Sequence, residues 1–411
     1  MRIRYSTLED GKPVKKANVY TREEHGINFA DVDKNAVYIV ERLRANGYET
    51  YIVGGAVRDL ILKKRPKDFD IVSAASPARI KKIFRNARII GRRFRLVHVY
   101  FGPRIFEVST FRSLRDGTTS NTFGTVEEDV LRRDFSLNAL FYDPLKQEVV
   151  DYVGGMKDIR EKRIRPIIPL GVIFEDDPVR MIRAVKYAAA AGFTLPVLLR
   201  WKIKRQSALL APVSPSRLTE EIMKIVHAPA AAEIVDSLEA HGLYIYLQPN
   251  ASRLMREAGF RARYLKSFAA LRENSEGTEI PGRNLAALIR DYLEDYLDWD
   301  AGIHENYRNA FIAARKFVLP MNPPRAELDR AVRHIFSEHG ITLKKARLFE
   351  RGQGVFRGAE TEEKDKVPIE RPAAVEAAAP GKRRRRRPRP RGAAPSQPRP
   401  PQSPGPQTPA L

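Results

Sequence analysis

The chain has 411 residues, 43% of them apolar and 9% aromatic, with 73 Lys and Arg against 50 Asp and Glu and no cysteine. That length suggests two or three domains with real cores, and the missing cysteine excludes disulfides and thiolate metal sites. A net charge of +23 favours a polyanionic partner; residues 381–411 carry +9 of it, as one Lys and eight Arg with no acid, which leaves +14 on the rest.

Taken in chain order, residues 1–26 are polar and mixed in charge and read as a flexible arm. The opening Met1 to Thr7 lacks the apolar core of a secretory signal, and no run is long enough for a membrane span. The expectation is a soluble, cytoplasmic protein without a membrane segment. Residues 27–168 alternate short apolar strands with helical patterns. Glu49–Val53 reads as a strand running into Gly54 and Gly55, and Val57–Leu62 as the helix that follows. Asp68–Val72 is a second strand. Pro77–Asn86 is an amphipathic helix with Ile80, Ile83 and Phe84 on one face. Phe94–Phe101 and Ile105–Thr110 flank Gly102 and Pro103 as a hairpin. Residues 112–124 form a Ser, Thr, Gly and Asn-rich loop. Thr125 then opens a helix, with Glu128 completing a capping box, and Val149–Val153 is a further strand.

Residues 169–230 read as a helical neck. Pro178 sits in the first turn of a helix through Tyr187, and Ser216 precedes another through Val226. Residues 231–357 form a helical body. Residues 358–411 turn to Ala, Pro, Glu and Arg, cannot bury a core, and are expected to be disordered. The predicted fold class is therefore α+β: a mixed sheet with helices as the head, an all-α neck and body, and a disordered basic tail.

The chemistry centres on Asp68 and Asp70. On a strand, residues i and i+2 share a face. Two such carboxylates repel each other unless a cation lies between them, and hard oxygen ligands suit Mg²⁺, with Mn²⁺ as an alternative. A bare Asp-x-Asp is common and alone specifies only a polar strand face. Gly54 and Gly55, at a strand end before a helix, let backbone N–H groups approach phosphates, and Arg58 lies one turn into that helix.

The run Gly54-Gly-Ala-Val-Arg-Asp-Leu60, followed by Lys67-Asp-Phe-Asp-Ile71, resembles the head motif of the class II nucleotidyltransferases, a superfamily that contains bacterial poly(A) polymerases and CCA-adding enzymes. The resemblance is strong over about residues 25–230 and weaker beyond. It implies a nucleotidyltransferase head with Asp68 and Asp70 as catalytic metal ligands, and Gly54, Gly55 and Arg58 binding the nucleotide. Phe106-Glu-Val-Ser-Thr-Phe-Arg112 looks like the segment holding a third carboxylate, so Glu107 is assigned as a further catalytic metal ligand. Arg132-Arg-Asp-Phe-Ser-Leu-Asn138 is similar to the family's Arg-Arg-Asp-Phe motif; it implies an active-site role for Asp134 and nucleotide contacts from Arg133 and Asn138. Asp176-Asp-Pro-Val-Arg180 matches the nucleotide-recognition motif, with Asp in place of the usual Glu at its first position. There Asp177 and Arg180, at i and i+3, are expected to read a base's Watson–Crick edge. Arg217-Leu-Thr-Glu-Glu-Ile222 resembles the next motif and reads as structural, with Glu221 buttressing Arg180.

Ile89-Ile-Gly-Arg-Arg-Phe-Arg-Leu-Val-His-Val99 looks like the segment that marks the poly(A) polymerase branch. Within it Arg92, Arg93 and Arg95 offer phosphate-binding charge, and His98 reads as a packed strand residue. The tail, with Arg383, Arg384, Arg385, Arg386 and Arg387, is expected to hold RNA electrostatically and to engage RNA-decay machinery. The resemblance implies AMP addition from ATP to RNA 3′ ends by a monomer using two metal ions, serving RNA turnover, with nucleotide-recognition and RNA-binding elements in the neck, residues 169–230, and RNA binding along the body, residues 231–357. A CCA-adding enzyme stands as the alternative within the same head. A non-catalytic RNA-binding protein on the same shell stands outside it.

Overall fold

The computed structural model describes residues 2–7, 13–91, 95–113, 123–273 and 282–342, all within one unit, Met1–Gln353. The expectations for Arg92, Arg93, Arg383–Arg387, most of the 112–124 loop and the tail lie outside these residues. Among the described residues, no helix is long and apolar enough to cross a membrane.

The head is a nine-stranded sheet among those residues: β1 (Arg2–Thr7), β2 (Pro13–Tyr20), β3 (Thr50–Val53), β4 (Asp70–Ser73), β5 (Ala87–Ile90), β6 (Leu96–Phe101), β7 (Arg104–Thr110), β8 (Leu140–Asp143) and β9 (Glu148–Asp151), in the order β1-β2-β9-β8-β3-β4-β7-β6-β5. All neighbours are antiparallel except β4 and β7, which pair in parallel with Ile71 opposite Val108. Strand alternation sends Ile52, Ile71, Phe106 and Val108 to one face, where helices Lys34–Ala45, Gly55–Ile61 and Pro77–Ile83 supply Ile39, Leu43, Leu60 and Ile80. Val53, Val72, Phe111 and Phe141 face the other way, covered by Val126 and Val130 of helix Val126–Leu131. Its capping box forms as expected: Glu128 N–H donates to the Thr125 hydroxyl, and the Glu128 carboxylate accepts from Thr125 N–H.

Beyond the sheet the chain is helical, through Val179–Ala191, Val197–Gln206 and Pro215–Val226 to Arg325–Glu338. One apolar core runs from the head into these helices, joining Phe135 and Phe174 to Ile222, Tyr264, Tyr307 and Phe336. The architecture is the α+β arrangement expected.

Several local expectations need correction. The N-terminal segment is not a flexible arm: β1 and β2 pair with each other, and β2 with β9, while Ala17 and Tyr20 are buried. Long-range pairing with β9 orders a segment whose own polarity gives no strand signal. The helix from Pro77 stops at Ile83, because Phe84 turns extended and buries in the core, and the Asn86 amide then donates to the Tyr100 carbonyl. Asp68 lies two residues before β4, because the pairing with β3 ends at Val53 opposite Asp70.

Candidate active site

Asp70 opens β4, and the parallel register with β7 sets it beside Glu107. Phe106 and Val108 point into the core, so Glu107 and Ser109 share the opposite face. Gly54 follows β3 with φ +72°, a conformation that disfavours any side chain; a Cβ there would stand 3.6 Å from Asp70 Oδ2. The glycine turn and the carboxylates therefore meet at one spot. The Asp70 carboxylate still reaches solvent, yet the surrounding protein mass, then Glu107 and Asp68, push its pKa up to about 6 against the pull of Arg133 and Lys224. Such a conflict of like charges is what a divalent cation relieves, and the donors are all hard oxygens. The cage is not preformed: among the described residues, no group of three or more His, Asp or Glu converges closely enough to hold an ion. Within this donor set a metal would need substrate oxygens to complete its shell.

A cavity of about 360 Å³ opens on the Ser109 face. It is lined by Ser109, Asn138, six arginines (Arg112, Arg132, Arg133, Arg180, Arg183 and Arg217) and three aspartates (Asp129, Asp134 and Asp177). Burial, followed by the neighbouring charge of Arg112, lowers the Arg132 pKa to about 10. An excess of cations that discourage one another favours an anionic guest.

The arginines are held in place. Asp129 Oδ2 accepts from Arg133 Nε and Nη2 at 3.1 and 2.9 Å, one helical turn apart, and the Arg133 guanidinium lies over Phe141. Arg58 donates to Asn138 Oδ1 at 2.9 Å and to Asp59, and its guanidinium lies over Tyr187. Asn138 Nδ2 donates to Asp134 Oδ1 at 3.3 Å, which also accepts from Phe135 N–H at 2.7 Å. Arg183 approaches Asp134 at 4.0 Å and donates to Glu221 at 3.2 Å. The expected nucleotide contacts Arg58, Arg133 and Asn138 thus form one network with Asp134, which reaches the neck helix.

Two expected pairings are rearranged. Asp177 precedes helix Val179–Ala191 in an extended conformation, so it does not share a helical face with Arg180. Arg180 pairs instead with Asp176 and donates to the Ile173 carbonyl at 3.1 Å, whereas Asp177 pairs with Arg217 at 2.5 Å. Both nevertheless line the same cavity. Glu221 does not touch Arg180; it takes Lys186 at 2.6 Å, Arg183 at 3.2 Å and Lys224 at 3.5 Å. Burial alone would raise its pKa, but Lys186 and Arg183 outweigh that and hold it at about 2. Burial pulls the Lys186 ammonium down despite Glu221. With three cations on one carboxylate, Glu221 is the member held charged.

His98 lies on β6 with Nε2 3.4 Å from Glu107. Arg95 stands just before that strand, exposed and outside the cavity lining. Sequence reasoning missed Asp129 and Arg183, although each lies one turn from a motif residue, Arg133 or Arg180. It also read Arg217 as structural, whereas Arg217 lines the cavity.

Residues 50–165 match the family model described as the poly A polymerase head domain, and residues 192–255 that described as the probable RNA and SrmB-binding site of polymerase A. Poly(A) polymerase I of Escherichia coli O6:H1 is 42% identical over 270 residues, covering 62% of this chain and 58% of the relative. The CCA-adding enzyme of Geobacillus thermodenitrificans is 35% identical over 237 residues, covering 56% and 58%. The chain thus spans less than two thirds of the curated relatives it matches. Among solved structures, a Bacillus stearothermophilus CCA-adding enzyme in complex with CTP has a TM-score of 0.52 at 27% identity, covering 74% of this chain and 82% of that one. Residues 50–165 are thus similar to the poly A polymerase head domain.

Proposed function

We propose that this chain is a polynucleotide adenylyltransferase that adds AMP from ATP to RNA 3′ ends. The observation that carries the reading is the arginine-rich cavity on the sheet face that holds Asp70 and Glu107. Asp68, Asp70 and Glu107 would hold Mg²⁺ or Mn²⁺, which when bound activates the attacking hydroxyl and steadies the leaving oxygen. Arg132 and Arg133 offset the triphosphate charge, and Arg58, fixed by Asn138, orients the phosphates at the Gly54 turn. The RNA 3′-hydroxyl attacks the α-phosphorus in line, and pyrophosphate leaves. Asp177 and Arg180 meet the base edge. Each is already held by a second partner, Arg217 or Asp176, so the reader needs little ordering on binding. The Arg/Pro tail would hold the RNA behind the 3′ end and serve RNA turnover.

Adenylate extension is the reading favoured by poly(A) polymerase I at 42% identity. CTP-dependent CCA addition is the second reading, favoured by the likeness to a CCA-adding enzyme bound to CTP. Incubation of an RNA 3′ end with ATP alone and then CTP alone separates them. Long ladders with ATP are expected; two C additions followed by one A on tRNA would overturn the adenylyltransferase reading.

A further inference from the structure

A second cavity, of about 950 Å³, shares no lining residue with the arginine-rich one. Its apolar lining includes Val32, Leu60 and Phe69, which belong to the core on the helix-bearing face of the sheet. Around them stand six cations, Lys34, Lys63, Lys64, Arg65, Lys67 and Arg104, against two acids, Asp31 and Asp33. Asp33 is already engaged: Oδ1 accepts from Asn35 N–H at 2.7 Å, and Oδ2 pairs with Arg104. Lys63 and Lys64 donate to the Gly26 and Ala190 carbonyls, which leave their charge uncompensated. Among the described residues, the exposed side chains of Lys34, Arg65 and Lys67 have no carboxylate within ion-pair distance.

The loop that carries Lys63, Lys64, Arg65 and Lys67 has a fixed start. Where helix Gly55–Ile61 ends, Lys63 N–H donates to the Leu60 carbonyl at 3.1 Å and Lys64 N–H to the Asp59 carbonyl at 2.8 Å, the two bonds of a Schellman cap. That cap needs a left-handed residue, usually glycine, and here it is Lys63 at φ +58°. A lysine held in so costly a conformation keeps one more cation at the cavity.

We propose that this cavity binds a compact polyphosphate, the chemistry shared by inorganic polyphosphate and the phosphate end of a free nucleotide. A concave site with a surplus of uncompensated cations favours an anion of high charge density, and the volume is that of a small-molecule site. An RNA strand suits it less. The cavity lies on the sheet face opposite Glu107 and Ser109, so a strand whose 3′ end reaches those residues would have to round the edge of the sheet. Phe69 lies between Asp68 and Asp70 in the chain, so an occupant against its ring abuts the segment that carries both carboxylates.

No lysine lines the arginine-rich cavity, so of the two cavities lysine acetylation reports only on the second. In the full-length chain without divalent metal, inorganic tripolyphosphate should protect Lys34 and Lys67 from a limiting dose of acetic anhydride, read by mass spectrometry. Their acetylation should fall about tenfold once the ligand stands at about ten times its Kd, by mass action. Lys81 and Lys146, exposed outside the cavity, should react as before. Arg65→Gln should raise the Kd about tenfold, the scale of one hydrogen bond to a charged group, with Tm unchanged. ADP separates the two sources: weaker protection than by tripolyphosphate points to inorganic polyphosphate, and tighter protection to a nucleotide with its base on the apolar lining. Equal loss of acetylation at Lys81 and Lys146, the sign of general screening, would overturn the site. So would an unchanged Kd in Arg65→Gln, or oligoadenylate that protects Lys34 and Lys67 at a lower phosphate concentration than tripolyphosphate does. None of these readouts uses nucleotide addition, so failure of the proposed reaction leaves the site standing.

Discussion

The cavity and helix Val197–Gln206 are both rich in cations, but they hold them differently. In the cavity, Arg133, Arg180, Arg183 and Arg217 each have a carboxylate partner, and Asp129, Asp177 and Glu221 are buried. On the helix, Arg200, Lys204 and Arg205 stand exposed in solvent. Fixed donors in a partly dry site give geometry and selectivity, because they need no reorganisation when the ligand arrives. Exposed cations on long stems give attraction that is tolerant of sequence and screened by salt. One region suits a nucleotide and a reaction, the other a strand to be held.

The largest break in that contrast is expected at Asp70. Asp70→Ala removes the carboxylate that faces both the Gly54 turn and Glu107. Nucleotide addition, followed as ladder formation, should fall to background while RNA anisotropy stays near wild type. Unchanged addition would remove the cavity face as the reaction site.

Glu221 tests how firmly the cavity arginines are anchored. Its folded pKa of about 2 lies below its ordinary value of 4.5, so its stabilisation is complete above about pH 4.5 and is lost as pH falls towards 2. Two and a half units correspond to about 3 kcal/mol. Glu221→Gln leaves Lys186 buried without its counter-charge and should cost about 3 kcal/mol at neutral pH. Thermal melts should show a large fall in Tm at pH 7 and a much weaker dependence between pH 4.5 and 2 than the parent's. Parallel acid profiles in the two proteins would contradict the charge assignment.

Arg217→Ala probes selectivity without touching Asp68, Asp70 or Glu107. It removes the 2.5 Å partner of Asp177 but leaves the Val179 N–H that fixes the other oxygen at 3.1 Å. Asp177 should then sample more than one orientation, and the ATP-to-CTP ratio of kcat/KM should shift on the order of tenfold, the scale of one hydrogen bond to a charged group. An unchanged ratio would mean that Asp177 does not read the base.

These contacts also mark where the sequence was legible. Gly54, Gly55, Arg58, Asp68 and Asp70 lie in one strand–turn–helix–strand segment, so their spacing along the chain is close to their spacing in space. Asp177 finds Arg217 across 40 residues, and Glu221 finds Lys186 across 35. No local periodicity carries such pairings, and the i,i+3 rule pointed to Arg180 instead. β1 and β2 were hidden for a related reason. Their partners are each other and the distant β9, and a charged surface obscures the alternation that buries Ala17 and Tyr20.

The smallest effect should come from the exposed helix. Lys204 is exposed on that helix, within residues 192–255, which match the probable RNA and SrmB-binding site, so Lys204→Gln removes one exposed cation and no packing. The slope of log K against log salt for single-stranded RNA should fall by about 0.7, the contribution of one released counterion, and Tm should stay within about 0.5 kcal/mol equivalent of wild type. A matching substitution within the cavity network should behave oppositely, with stability lost and the salt slope little changed, because there the charge is already neutralised by a buried carboxylate. If Lys204→Gln instead lowers Tm and leaves the slope alone, the helix cations are structural, and the contrast between a fixed cavity and a solvated strand-holder fails at its solvated end.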